Sequence, residues 1–106
     1  MERTVQETVG LFKLTTGEEI VSEYIEGEET FTLTSPRLVI PRRSADGKGV
    51  DVGLAPWFFA APDDSFVMSR TVFLAWTDNV EKGLRDGYLQ NVSGLQIAQN
   101  LAGLKL

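Results

Sequence analysis

The sequence predicts a mainly β domain followed by a helix, and three observations carry that prediction. Short runs alternate apolar and polar residues with the period of a strand. Turn-forming residues punctuate those runs at short intervals. After Asp78 the apolar spacing changes to that of a helix.

The first run, Leu11 to Leu14, stops at Thr15-Thr16-Gly17-Glu18-Glu19, where Gly17 supplies the positive φ of a tight turn. Ile20 to Glu26 alternates as a curved second strand with both faces partly covered, and Gly27-Glu28-Glu29 ends it. Phe31, Leu33 and Ser35 then alternate with Thr30, Thr32 and Thr34, and the pattern resumes from Arg37 to Ile40. Pro36 lacks a ladder donor, so a bend or bulge is expected there.

Pro41 to Gly49 reads as an exposed loop with an Asp-Gly pair. Val50 to Ala61 reads as a buried strand interrupted by Pro56, and Pro62-Asp63-Asp64 closes it. Phe66 to Trp76 is either one bent strand or two strands joined at Ser69-Arg70-Thr71. Val80, Leu84 and Tyr88 stack on one face of a helix spanning about residues 79–90, with Asp78 as the expected N-cap and Gly83 and Gly87 weakening it. Gly94 to Leu106 is expected as a second short helix or a frayed tail that docks through its apolar residues.

A chain of 106 residues supports one hydrophobic core, so a single domain covering 1–106 is expected. At 42% hydrophobic and 24% charged it has the composition of a folded globular protein. No apolar run approaches the roughly 18 to 20 residues of a membrane span, and Met1 to Gly10 carries no signal-peptide core, so a cytoplasmic protein with no membrane partner is expected.

The sequence contains no cysteine and no histidine. Disulfides, thiolate or imidazole catalysis and the usual nitrogen and sulfur metal sites are thereby excluded. The adjacent carboxylate pairs Glu18-Glu19, Glu28-Glu29 and Asp63-Asp64 fall at turns, where carboxylates are normally solvated. No enzyme activity, metal or cofactor is expected. The formal net charge of −5 repels polyanions, so nucleic-acid binding requires a local basic patch.

The segment Leu14-Thr15-Thr16-Gly17-Glu18-Glu19-Ile20 resembles the opening of the first Sm motif. Tyr24-Ile25, Gly27 and Phe31-Thr32-Leu33 fit the second and third strands of that motif, and Ser69-Arg70-Thr71 resembles the polar turn of the second. Gly53-Leu54-Ala55-Pro56-Trp57 is similar to a segment of small Sm-like proteins of phage, including those of cyanophage type. The resemblance covers about 11–76 and implies a small, strongly bent five-stranded antiparallel barrel; it leaves the C-terminal helical extension expected over about 78–106 unaccounted for. It also implies a homo-oligomeric ring of about five to seven subunits joined edge to edge by the last strands. A phage origin would place the ring in the host cytoplasm. The uridine pocket of the family is absent as written, since Glu28-Glu29-Thr30-Phe31-Thr32 contains no Asn and Thr71 follows Arg70.

Arg70 is the residue that the resemblance carries over as an RNA contact. Arg37, Arg42, Arg43 and Lys48 add four of the ten basic residues as a candidate phosphate patch. Trp57, Phe58 and Phe59 are read as adjacent strand aromatics, at least one of which faces away from the core and meets a neighbouring subunit. Leu95 and Leu101 of the C-terminal segment are further interface candidates. The expected function is a non-catalytic ring that binds single-stranded RNA; the alternative is an oligomeric structural or protein-interaction scaffold that does not.

Overall fold

A computed structural model describes the backbone of residues 8–58 and 60–105 and, outside the C-terminal part of the helix, the side chains through Ser93. Strands β1 (Val9–Leu14) and β2 (Glu19–Glu26) form the first hairpin, followed by β3 (Thr30–Arg43) and β4 (Val50–Pro56). Strands β5 (Ser65–Ser69) and β6 (Phe73–Thr77) are separated by a single 3-10 turn at Arg70–Val72, and the helix α1 (Lys82–Lys105) follows. The polar Ser69-Arg70-Thr71 segment thus divides two strands, because the Ser69 hydroxyl accepts from the Thr71 amide at 3.2 Å and turns the chain.

All pairings are antiparallel, in the order β4-β3-β2-β1-β6, with β5 also on β3. The 14-residue β3 accounts for this branching. One edge of β3 pairs β2, while the other carries β5 against Thr30–Thr34 and β4 against Arg37–Arg43. The result is a six-stranded sheet that is not closed, where a five-stranded closed barrel had been expected.

The expected irregularity at Pro36 is a β-bulge. The β2–β3 register shifts between Val21 and Glu23, and Ser35 just before the proline adopts φ 54°, in the left-handed region. One extra residue in a strand moves everything beyond it to the opposite face. Phe31 and Leu33, before the bulge, therefore join Phe12, Leu14, Ile20 and Phe73 in one apolar core, whereas Val39, after it, packs with Val9, Val21 and Tyr88 in a second. The first core lies inside the bend of the sheet and is built from edge-to-face aromatic contacts, including Phe12 with Phe31 at 5.3 Å and Phe31 with Phe73 at 5.5 Å. The second lies between the sheet and α1.

Three local expectations are corrected. Strand β4 is exposed to half-buried, with Val50 at 72% and Val52 at 44%, because it is an edge strand that α1 covers only near Leu54. The strand ends at Pro56, so Trp57 and Phe58 lie in the β4–β5 connection and not on a strand. The helix is continuous from Lys82 to Lys105, Gly83 and Gly87 included, and its cap is Glu81 instead of Asp78: the Glu81 carboxylate accepts from the Leu84 amide at 2.9 Å. Among the described residues, no helix is long and apolar enough to cross a membrane.

Candidate nucleic-acid interface

The β3–β4 hairpin tip is a self-organised loop. Ser44 N donates to Gly49 O at 2.9 Å and Gly47 N to Ser44 O at 2.9 Å, while Gly47 takes φ 75°. The Asp46 carboxylate accepts from the Ser44 hydroxyl at 2.7 Å and the Lys48 amide at 3.0 Å. Those bonds, Ser44 first, favour the ionised form and hold the Asp46 carboxyl below its ordinary pKa of 3.8.

Arg42, Arg43 and Lys48 all stand exposed at this tip. Together with Pro41 and the loop glycines they line a shallow hollow of about 450 Å³. The Arg42 guanidinium lies across β4 at Gly53, where an added Cβ would approach its central carbon to 3.2 Å. Among the described residues, Arg42, Arg43 and Lys48 make no ion pair, so their charges face solvent.

The other two arginines of the expected patch lie elsewhere. Arg37 is only 7% exposed, in the middle of β3. Its Nε donates to Asn91 Oδ1 on α1 at 3.0 Å, and one terminal nitrogen donates to Pro36 O at 3.2 Å, so the side chain ties helix to sheet.

Arg70 sits at the opposite end of β3 from the hairpin, where Ser69 pairs Thr30. Its guanidinium donates to Gly27 O at 2.8 and 3.2 Å and forms an ion pair with Glu26. The same group lies over the rings of Phe31 and Trp76, 4.8 and 5.2 Å from their centroids. Arg70 thereby clamps the β2–β3 turn to the β5–β6 corner.

The aromatic candidates also divide. Trp57 packs against the first core, while Phe58 is 50% exposed and stacks on Phe66 with centroids 4.7 Å apart. Phe59 lies outside the described residues. Leu95 and Leu101 fall within α1, but their side chains lie outside the described part.

A buried polar seam at the bulge escaped the sequence reading. The Tyr88 hydroxyl, on a residue 0% exposed, accepts from Glu23 N at 3.0 Å and lies within bonding distance of Ser35 O at 2.9 Å and Thr34 O at 3.1 Å. Ser22, also 0% exposed, donates to Thr34 O at 2.9 Å. Ser35 N donates to Asp64 O at 2.7 Å, and its hydroxyl donates to the Asp64 carboxylate. Burial pushes the Tyr88 phenol up to about 12. Burial, and secondarily the charge of Asp64, raises the Glu23 carboxyl above its ordinary 4.5. The available signal was Ser22 directly after the apolar Ile20-Val21, opposite Ser35-Pro36: two small polar residues at positions where burial demands partners.

Among the described residues, no group of three or more acidic side chains is placed to hold a metal ion. The chemistry on offer is therefore a small, unpaired cationic tip and a set of exposed apolar positions on the outer strands. Compared with known proteins, the chain matches no family model and no curated sequence.

Proposed function

We propose that this chain is a non-catalytic, Sm-like subunit that assembles with copies of itself into a ring through β5 and β6. The observation that carries the proposal is the pair of outer edges on these two strands, unpaired among the described residues, where Val67 at 71%, Leu74 at 66% and Trp76 at 40% are exposed. Exposed apolar strand edges of this kind invite pairing, and edge-to-edge pairing around a ring leaves none open. The Sm-like reading draws support from the bend itself. Because β4 and β5 occupy successive stretches of one β3 edge, the sheet has five strand positions, and the 3-10 turn carries the chain from that edge across to β1.

A native mass measurement tests the ring directly. A closed oligomer that Val67→Lys or Leu74→Lys dissociates into folded monomers supports it; a monomeric wild type at micromolar concentration overturns it.

A second reading, contact with single-stranded RNA, draws on the unpaired Arg42, Arg43 and Lys48. Repeated around a ring, these tips would act on phosphates, with Arg37 and Arg70 serving the fold. Such contacts position a strand without reading its bases. Fluorescence anisotropy with uridine-rich and adenine-rich oligonucleotides decides it. Equal affinities that fall with salt and are lost in Arg42→Ala/Arg43→Ala support the reading, while no binding at low salt leaves the ring as a protein scaffold.

A further inference from the structure

The outer edge of β4 has an unusual neighbour. Beside it, the first turns of α1 leave a hollow of about 280 Å³ that brings together the apolar Val50, Val52 and Leu54 of the strand and Leu84 of the helix with the acidic Asp51 and Glu81. Gly83 and Gly87 form the rest of the helix wall. An added Cβ at Gly87 would meet nothing within 4 Å, so the helix surface is open there. No residue of β3 lines the hollow, which therefore opens on the outer side of β4, unpaired among the described residues.

The backbone of that edge can be assigned from the register. In an antiparallel ladder, directly opposed residues alternate between hydrogen-bonded and non-bonded pairs. Ser44 N donates to Gly49 O, so this pair is bonded. Counting inward, Arg43 with Val50, Pro41 with Val52 and Val39 with Leu54 are non-bonded pairs, as is Arg37 with Pro56. Both prolines fall on non-bonded positions, where no ladder donor is required. The N–H and C=O groups of Val50, Val52 and Leu54 accordingly point away from β3, along the open edge.

We propose that β4 and the N-terminal turns of α1 form a docking groove for an extended peptide segment of another protein, added to the sheet as a strand next to β4, with alternating apolar and basic residues. The strand edge supplies main-chain pairing, and the hollow under Gly83 and Gly87 receives the apolar side chains. The charged residues lining the hollow, Asp51 and Glu81, are both acidic, which favours a basic segment over an acidic one. The groove does not use the β5 and β6 edges, so it stands apart from the ring reading.

The test uses the full chain, isotope-labelled, titrated with acetyl-Lys-Val-Lys-Val-Lys-Val-amide as the probe and with its Glu-Val counterpart. Saturable amide shifts centred on Val50, Val52, Leu54, Gly83 and Gly87 are expected for the Lys-Val peptide, with affinity on the order of tenfold weaker for Glu-Val. Gly87→Leu fills the hollow with a good helix former, and Val52→Pro removes one outward donor without touching the β3 ladder. Each is expected to weaken binding about tenfold or more while leaving the thermal melt cooperative. Unchanged affinity in a folded Gly87→Leu variant overturns the proposal, as do shifts confined to β5 and β6, equal binding of the two peptides, or no saturation at millimolar peptide. Concentration-dependent broadening of the β4 amides without peptide also overturns it, by assigning the edge to a second copy of the chain.

Discussion

Replacing Tyr88 by Phe removes one oxygen from the seam between helix and sheet. The Tyr88 hydroxyl is the partner of Glu23 N at 3.0 Å and of Ser35 O at 2.9 Å, whereas Thr34 O keeps a second donor in the Ser22 hydroxyl at 2.9 Å. Two main-chain groups at the bulge are thus left without this partner, in a site where the ring itself is 0% exposed. A buried orphan costs about 1–3 kcal/mol, and partial relaxation of the bulge brings the expected loss to about 2 kcal/mol. For a domain of this size that corresponds to a fall in Tm of about 10 °C.

The same hydroxyl predicts a pH dependence. Its pKa rises from the ordinary 10.0 to about 12 in the folded chain, because burial penalises the phenolate. The unfolded chain releases the proton first, so alkali favours unfolding. The stabilisation is complete below about pH 10 and is lost as pH rises toward about 12, amounting to roughly 2–3 kcal/mol. Urea unfolding of wild type and Tyr88→Phe across this range, with tyrosinate absorbance read in a Tyr24→Phe background, measures both effects. A Tyr88→Phe loss below about 0.5 kcal/mol, within the range of ordinary surface changes, together with ionisation near the ordinary value, would refute the assignment of the seam as the helix latch.

Three further predictions follow from single groups. Arg70→Lys keeps the charge but loses the planar fork that serves Gly27 O, Glu26 and two aromatic faces; a loss of about 1–2 kcal/mol is expected by thermal melting, with altered Trp fluorescence and unchanged RNA affinity in the folded variant. Glu23→Gln removes a carboxylate whose ionised form burial and Asp64 disfavour. It is therefore expected to raise Tm at neutral pH, with the gain vanishing as pH falls toward 4.5, and an equal gain at pH 3 and pH 7 would contradict this. Gly87→Ala adds a methyl where nothing lies within 4 Å and improves helix propensity by about 1 kcal/mol, whereas Gly17→Ala, at φ 103°, is expected to destabilise by a similar amount; matched melts of the two check the contrast.

The local grammar was legible where a residue type dictates backbone geometry. Gly17 turns between β1 and β2, Pro36 marks a bulge, and the Asp46-Gly47 pair sits in the hairpin turn, because each choice restricts φ or removes a donor regardless of the surroundings. The alternating runs, for the same reason, fall on strands. The candidate site was less legible, since charge and aromatic content describe a side chain but not its neighbours. Arg37 and Arg70 look like Arg42 and Arg43 in the sequence, yet one is sealed against Asn91 and another is clamped to Glu26 and Gly27.

The sequence by itself determined a mainly β chain with a C-terminal helix, no thiol or imidazole chemistry, and a cluster of cations at one hairpin. Only the tertiary structure decided which cations remain free, that Tyr88 closes the bulge, and that β4 leaves a groove beside α1. The physical reason is the single extra residue at Ser35-Pro36. It exchanges the faces of β3 midway, and through long-range pairing sends Phe31 and Leu33 into one core and Val39 into another, a choice that depends on partners far along the chain.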